Sequence, residues 1–351
     1  MIRRAWISWL FLPLLPLLLA GCGEPVHRQQ AYVFGTLVEV IIHGEDAATA
    51  RRVTDQILLD FDQMHRTLHA WQPGSLDRVN AILALASPDK PARAALPPGF
   101  IPIFEDLARL EAQSEGLFNP AIGNLVRLWG FHADEFRPHR PAREEIERLV
   151  AARPSLADIE LDGVEFVGRN PAVRLDLGGY AKGYALDVAA AYLRRQGIDN
   201  ALINIGGNVL ALGRHGNRPW RVGIQHPRQP GAIAEIDLAD GEAIGTSGDY
   251  QRYFELDGRR YSHLIDPRSG WPAQGTQAVT VLTRGPGAGV LSDVASKPLF
   301  IAGAGDWRRL AERMGVREAM RIDADGRIEL TAALADRLRW PGTPPPYTRI
   351  D

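Results

Sequence analysis

Four stretches of this chain hold residues that hydrophobic packing does not demand. Leu175-Asp-Leu-Gly-Gly-Tyr-Ala-Lys-Gly-Tyr-Ala-Leu-Asp187 reads as a strand end, a glycine turn and the start of a helix. Gly178 and Gly179 carry no Cβ, so the backbone there can approach a ligand closely. Lys182 adds a cation where the new helix points its free N–H groups, a setting that favours phosphate. In Tyr261-Ser-His-Leu-Ile-Asp-Pro-Arg-Ser-Gly270, His263 is placed to take a proton from a hydroxyl, with Asp266 three residues later to orient the ring. Ser292-Asp-Val-Ala-Ser-Lys-Pro298 sets Asp293 at the start of an apolar helix. A carboxylate there either complements the helix dipole or holds Mg²⁺ alongside substrate phosphates and water. Thr246 and Ser247 in Thr246-Ser-Gly-Asp-Tyr250 suit turn hydrogen bonding and ligand contact equally.

The elements that must position these groups follow from periodicity. Apolar residues at helical spacing predict helices over about 45–69, 76–85, 100–114 and 144–152, with the helix after the central glycines ending near Gly197. Further helices are expected over about 288–302 and 307–314, and a segment opened by Asn119-Pro120 runs to Trp129. Strands are expected at 32–42 (broken by Phe34-Gly35-Thr36), 159–166, 172–177, 201–205, 220–225, 233–238, 242–246 and 277–283. Asp257-Gly258 and Asp325-Gly326 mark two hairpins, because Asp-Gly suits a tight turn with positive φ. Strands come as hairpins rather than in strict βαβ alternation, which predicts an α+β fold of helices packed on largely antiparallel sheet.

Arg3 and Arg4 precede an apolar run ending in Leu19-Ala-Gly-Cys22, so residues 1–21 read as a signal peptide. The small residues before the single cysteine look like a bacterial lipoprotein box, with Cys22 the acylated residue. Residues 22–31 then form a polar tether, 32–340 the main domain and 341–351 a loose, proline-rich tail. Without Arg3 and Arg4 the formal charge moves from −2 to −4, and the absence of a basic block argues against a nucleic-acid partner.

Taken together, Phe34-Gly-Thr36, Ser75-Leu76 with Asn80, Gly116-Leu-Phe-Asn-Pro120 with Leu128-Trp-Gly130, and Asp176–Asp187 form an ordered set of motifs. Asn204-Ile-Gly-Gly207, Thr246–Asp249, Ser262–Gly270 and Asp293 continue it. Over nearly all of the mature sequence the chain resembles the ApbE family of FAD:protein FMN transferases. The resemblance implies a tunnelling-fold-like α+β enzyme with two related halves, facing the bacterial periplasm from a lipid anchor in the membrane. It implies FAD as substrate with Mg²⁺, cleavage of the pyrophosphate, and attachment of FMN to a Thr or Ser hydroxyl with release of AMP. The acceptor implied is a subunit of a membrane redox complex. By motif, Phe34, Trp71, Leu117, Phe118, Asn119, Asp176 and Lys182 would contact FAD, with Leu264 or Ile265 touching the flavin or adenine. The Gly179 carbonyl and Asp293 would serve the metal, and His263 would act as base or position the acceptor.

The chain also departs from the family pattern. Phe34 stands where methionine is usual, Trp71 for tyrosine, and Asn119 for aspartate, which removes a negative charge. Lys297 stands where a threonine ligand is usual, and a protonated ammonium cannot ligate Mg²⁺. Three arrangements are open: Ser296 supplies the oxygen while Lys297 points away, Lys297 replaces the cation and holds the diphosphate, or flavin is bound with altered chemistry. FAD binding without transfer, and hydrolysis of FAD to FMN and AMP, stand as the alternative activities.

Overall fold

The computed structural model describes residues 24–87, 89–133 and 135–351. The expected signal peptide and Cys22 lie outside them. A nine-stranded sheet forms the centre. From edge to edge it runs Val26–Val33, Thr36–His43, Ala201–Ile205, Asn208–Leu212, Glu242–Gly248, Thr276–Arg284, Glu318–Asp323, Ile328–Thr331 and Tyr347–Ile350. Every neighbouring pair is antiparallel except the last, which is parallel. The α+β architecture expected from the hairpin-rich sequence is the one observed.

Strand alternation divides the apolar residues between two faces. Val38, Val40 and Ile42 pack with Val53, Ile57 and Phe61 of helix Ala47–Leu68 and with Leu186 of helix Ala181–Arg195. Ile41, between them in sequence, faces the other way, among Trp220, Ile224 and Ile236 of a three-stranded sheet (Leu338–Arg339, Ala232–Leu238, Trp220–Gln225). Likewise Val279 and Val281 meet Val290, Val294 and Ala295 of helix Ala288–Ala302, while Ala278 and Leu282 join the second sheet's layer. The result is three layers, with helices on one face and the small sheet on the other. Helix 288–302 is apolar on nearly all sides and buried, as a helix without a solvent face must be.

Three sequence expectations need correction. From Val26 onward the expected tether is strand: Val26–Val33 pairs with Thr36–His43 throughout, and Gln29 accepts from Thr54 Oγ1 at 2.6 Å and donates to Asp55 at 2.7 Å. Its polar alternation is that of an edge strand with one face on a helix. The tail is tied down too, through strand Tyr347–Ile350 and a Trp340–Tyr347 ring stack at 5.7 Å. Residues 172–177 make no sheet strand; instead the Asn80 amide grips both backbone groups of Leu175, donating to its carbonyl at 2.9 Å and accepting from its N–H at 2.7 Å.

Candidate active site

Helices 181–195 and 288–302 cross where both backbones are bare. A Cβ on Gly183 would lie 2.4 Å from the Gly289 carbonyl oxygen, and one on Gly289 would lie 2.5 Å from that of Gly183. Any side chain at the crossing would force the helices apart. Asp187 fastens the same crossing, accepting from the Gly289 and Val290 N–H groups at 2.8 Å each. Burial raises the Asp187 carboxyl to about 6, against the opposing pull of those two N–H groups. The crossing sets Lys182 beside Asp293, and the Gly183 N–H donates to Asp293 Oδ2 at 2.9 Å.

A cleft of about 810 Å³ opens over this crossing. Phe34, Trp71, Leu117, Phe118, Asn119, Asp176, Gly179, Lys182, His263, Leu264, Ile265, Asp293 and Lys297 all line it, although they come from segments more than 250 residues apart. Of the residues singled out above for chemistry, Asp266 and Ser296 are the two that do not line it.

One wall is aromatic. Trp71 donates its indole N–H to Asp176 Oδ2 at 3.0 Å and carries the Arg174 guanidinium on its face at 4.5 Å. Asp176 Oδ1 accepts from the Gly178 N–H at 2.8 Å, so this carboxylate folds the glycine turn. Phe34 sits at a two-residue turn with φ 56°, followed by Gly35 at 68°. That backbone region is costly for a bulky residue, and strain of this kind concentrates at ligand sites. Asn119 turns both polar ends into the protein, donating to the Pro154 carbonyl at 2.9 Å and accepting from the Ala121 N–H at 2.8 Å.

His263 is held differently from the sequence expectation. Its Nδ1 lies 3.1 Å from the Arg252 carbonyl oxygen, which requires the proton on Nδ1 and leaves Nε2 as an acceptor. Burial, then the positive charge of Arg252, bring the ring down to about 3, so the imidazole is neutral at physiological pH. Lys182 and Lys297 add smaller pushes in the same direction. Asp266 does not orient the ring. Its carboxylate is taken by Arg268, at 2.7 Å from Nη2 and 2.9 Å from the backbone N–H. A carboxylate three residues away in a turn more readily closes that turn than reaches back along the strand.

The metal ligands expected from the motif are not arranged as a metal site. Lys297 Nζ donates to Asp293 Oδ1 at 2.6 Å and to the Asp293 carbonyl at 2.7 Å. With Gly183 on Oδ2, both carboxylate oxygens of Asp293 are engaged. Burial works to raise the Asp293 carboxyl, but Lys297 and Lys182 outweigh it and hold the group below its ordinary value. Burial draws the Lys297 ammonium down, with Asp293 opposing. Ser296 points elsewhere, donating to the Asp293 carbonyl at 2.8 Å and sharing a 2.7 Å bond with Ser247 Oγ. Among the described residues no group of three or more His, Cys, Asp or Glu side chains could hold a metal ion. As they stand, these residues do not fit Mg²⁺.

Other residues of the cleft carry little or no signal in the sequence. His65 and His69 stand edge to face at 5.0 Å, an i, i+4 pair that helical spacing could have flagged. The Arg252 carbonyl is a backbone atom and carries no sequence signal.

Against known proteins, residues 34–320 match the model of the ApbE family. The FAD:protein FMN transferase of Rhodobacter capsulatus is 44% identical over 324 residues, which cover 91% of this chain and 60% of that protein. That of Vibrio cholerae is 31% identical over 288 residues, covering 79% of this chain and 83% of its own. The crystal structure of the ApbE protein of Thermotoga maritima superposes with a TM-score of 0.80 at 27% identity, covering 90% of this chain and all of that one. The chain thus spans about three fifths of the Rhodobacter capsulatus relative.

Proposed function

The chain belongs to the ApbE family, and from that premise we propose that it moves FMN from FAD to a Thr or Ser hydroxyl of a partner protein. The observation that carries this is the convergence of two lysines and one neutral imidazole on a single cleft with an aromatic wall. Dinucleotide chemistry needs those three things: a stacking surface for the rings, positive charge for the diphosphate, and a base for a weak nucleophile. The acceptor hydroxyl oxygen forms a bond to the FMN phosphorus. The bond from that phosphorus to the bridging oxygen breaks, and its electron pair leaves with AMP. The hydroxyl proton passes to His263 Nε2, whose ring is held in place through Nδ1 on the Arg252 carbonyl. Trp71 and Phe118 supply stacking area, and Asp176 holds Trp71 in position. Mg²⁺ is assigned no step, because Asp293 is already bonded to Lys297 and Gly183.

The finer reading places the acceptor in a membrane redox complex and the enzyme on a lipid anchor at Cys22, facing the periplasm. The lipoprotein-like Leu19-Ala-Gly-Cys22 supports the anchor. Labelling with a radioactive fatty acid, abolished by Cys22→Ala, is the expected result for it. The activity is tested by incubating the protein with FAD and a candidate acceptor. Covalent flavin fluorescence on the acceptor with stoichiometric AMP is expected. Free FMN with AMP would mean hydrolysis, and unchanged FAD would mean binding alone.

A further inference from the structure

We propose that Lys297 is the resident cation of this cleft: its ammonium takes the place of a divalent ion and holds the diphosphate directly, so neither binding nor transfer requires added metal. The inference rests on the reading of the cleft as an FAD site.

An ammonium carries three N–H groups. Two are spent on Asp293, on its carbonyl at 2.7 Å and its Oδ1 at 2.6 Å. The third remains for a ligand, and Lys297 lines the cleft with 15% of its side chain accessible, against 1% for Asp293. Asp293 therefore acts on the ligand only through Lys297, as an anchor. Its negative charge keeps an ammonium in a buried position that would otherwise favour the neutral amine.

The surroundings are shaped for that side chain. A Cβ on Gly179 would lie 3.0 Å from Lys297 Cε and 3.1 Å from Cδ, so the absent side chain leaves a channel for the lysine stem. The Ser296 hydroxyl, the oxygen nearest in sequence that could ligate a metal, is bonded to Ser247 and to the Asp293 carbonyl instead. To seat a divalent ion on Asp293, Lys297 would have to leave two short charge-assisted bonds, and its charge would repel the ion. Lys182, which makes no hydrogen bond or ion pair among the described residues, offers a second ammonium to the same cleft. Two single charges, one anchored and one without a hydrogen-bond partner among the described residues, then do the work otherwise assigned to a metal.

The test uses the full chain, its FAD affinity read by quenching of flavin fluorescence and its transfer by labelling of an acceptor. Each is measured with EDTA and with Mg²⁺. Unchanged affinity and transfer in EDTA are expected. Transfer strictly dependent on Mg²⁺ would overturn this inference while leaving the proposed function intact. Absence of FAD binding under both conditions would overturn both. The Lys297→Thr variant should bind FAD about 10- to 100-fold more weakly in EDTA, the worth of one charge-assisted contact, and should recover with Mg²⁺. Mg²⁺ titration by calorimetry, a readout independent of turnover, should show heat for Lys297→Thr and none for the wild type. Wild-type Mg²⁺ binding in the micromolar range would overturn the assignment even if the variant fails to fold.

Discussion

Two helices bring a lysine to the same cleft, and they do so in opposite ways. Lys182 stands in the first turn of helix 181–195, half-buried and bonded to nothing among the described residues. Lys297 stands inside helix 288–302 and is clamped to Asp293 by two bonds. The first is a cation on a flexible stem, ready to follow a ligand, while the expected free N–H groups beside it, at Ala181, Gly183 and Tyr184, are taken by Leu177, Asp293 and Tyr180. The second is fixed before any ligand arrives. The contrast separates affinity from architecture: removing Lys182 should touch binding alone, whereas disturbing Lys297 or its anchor should touch the fold as well.

His263 lies within the field of both lysines, and its loss should have the largest effect. His263→Gln is expected to slow transfer by about 10²- to 10⁴-fold, the usual worth of a positioned base, with FAD affinity unchanged. Its pH behaviour follows from the ring value of about 3, well below the ordinary 6.5. Protonation is disfavoured in the fold, so the associated stability is present above pH 6.5 and drains away as the pH falls toward 3. No acid limb from His263 should appear in kcat/KM between pH 5 and 8. A midpoint near 6.5 would show the ring titrating freely.

Breaking the anchor comes next. Asp293→Ala leaves a buried ammonium without its partner and should cost about 3–5 kcal/mol of stability, read by thermal or urea unfolding. Lys182→Met should leave the melting temperature nearly unchanged while weakening FAD about 10- to 100-fold. Equal losses of stability in these two variants would erase the distinction between the lysines.

A buried carboxylate without a cation sharpens the comparison from the other side. Glu111 accepts from the Leu156 N–H at 2.9 Å and from Ser155 Oγ at 3.2 Å through one oxygen. Burial raises it to about 7, whereas Asp293, beside two lysines, is held low. The stability tied to protonated Glu111 is present below pH 4.5 and lost as the pH rises through 7. Glu111→Gln should therefore stabilise the protein by about 2–3 kcal/mol at pH 8.5 and hardly at all at pH 4.5. Unfolding curves at the two pH values give the answer.

Much of the frame was legible in the chain itself. The helices observed at Ala47–Leu68, Phe100–Gln113 and Ala288–Ala302 follow apolar spacing that needs no partner to be read. The Asp257-Gly258 and Asp325-Gly326 turns likewise lie where the sequence puts them. Strands at the sheet's two edges were harder, since Val26–Val33 is polar by alternation and Tyr347–Ile350 is short and exposed. Their pairing comes from neighbours far away in sequence. Asn80 shows the same limit: its type is plain, but its grip on Leu175, 95 residues on, is visible only in three dimensions.

The site divides along the same line. Residue types and local spacing determined which chemistries were on offer, and even placed Asp293 and Lys297 four apart on one helix face, where opposite charges meet. Tertiary structure decided which offers were taken up. It gave the His263 Nδ1 proton to a backbone carbonyl and closed Asp293 between Lys297 and Gly183, whereas Asp266 went to Arg268 within its own turn. The reason is physical: a buried polar group binds whatever partner its surroundings bring within about 3 Å, here an arginine of the same turn for Asp266, a carbonyl across the hairpin for His263, and for Asp293 a lysine of its own helix and an N–H from the helix that meets it at two bare glycines.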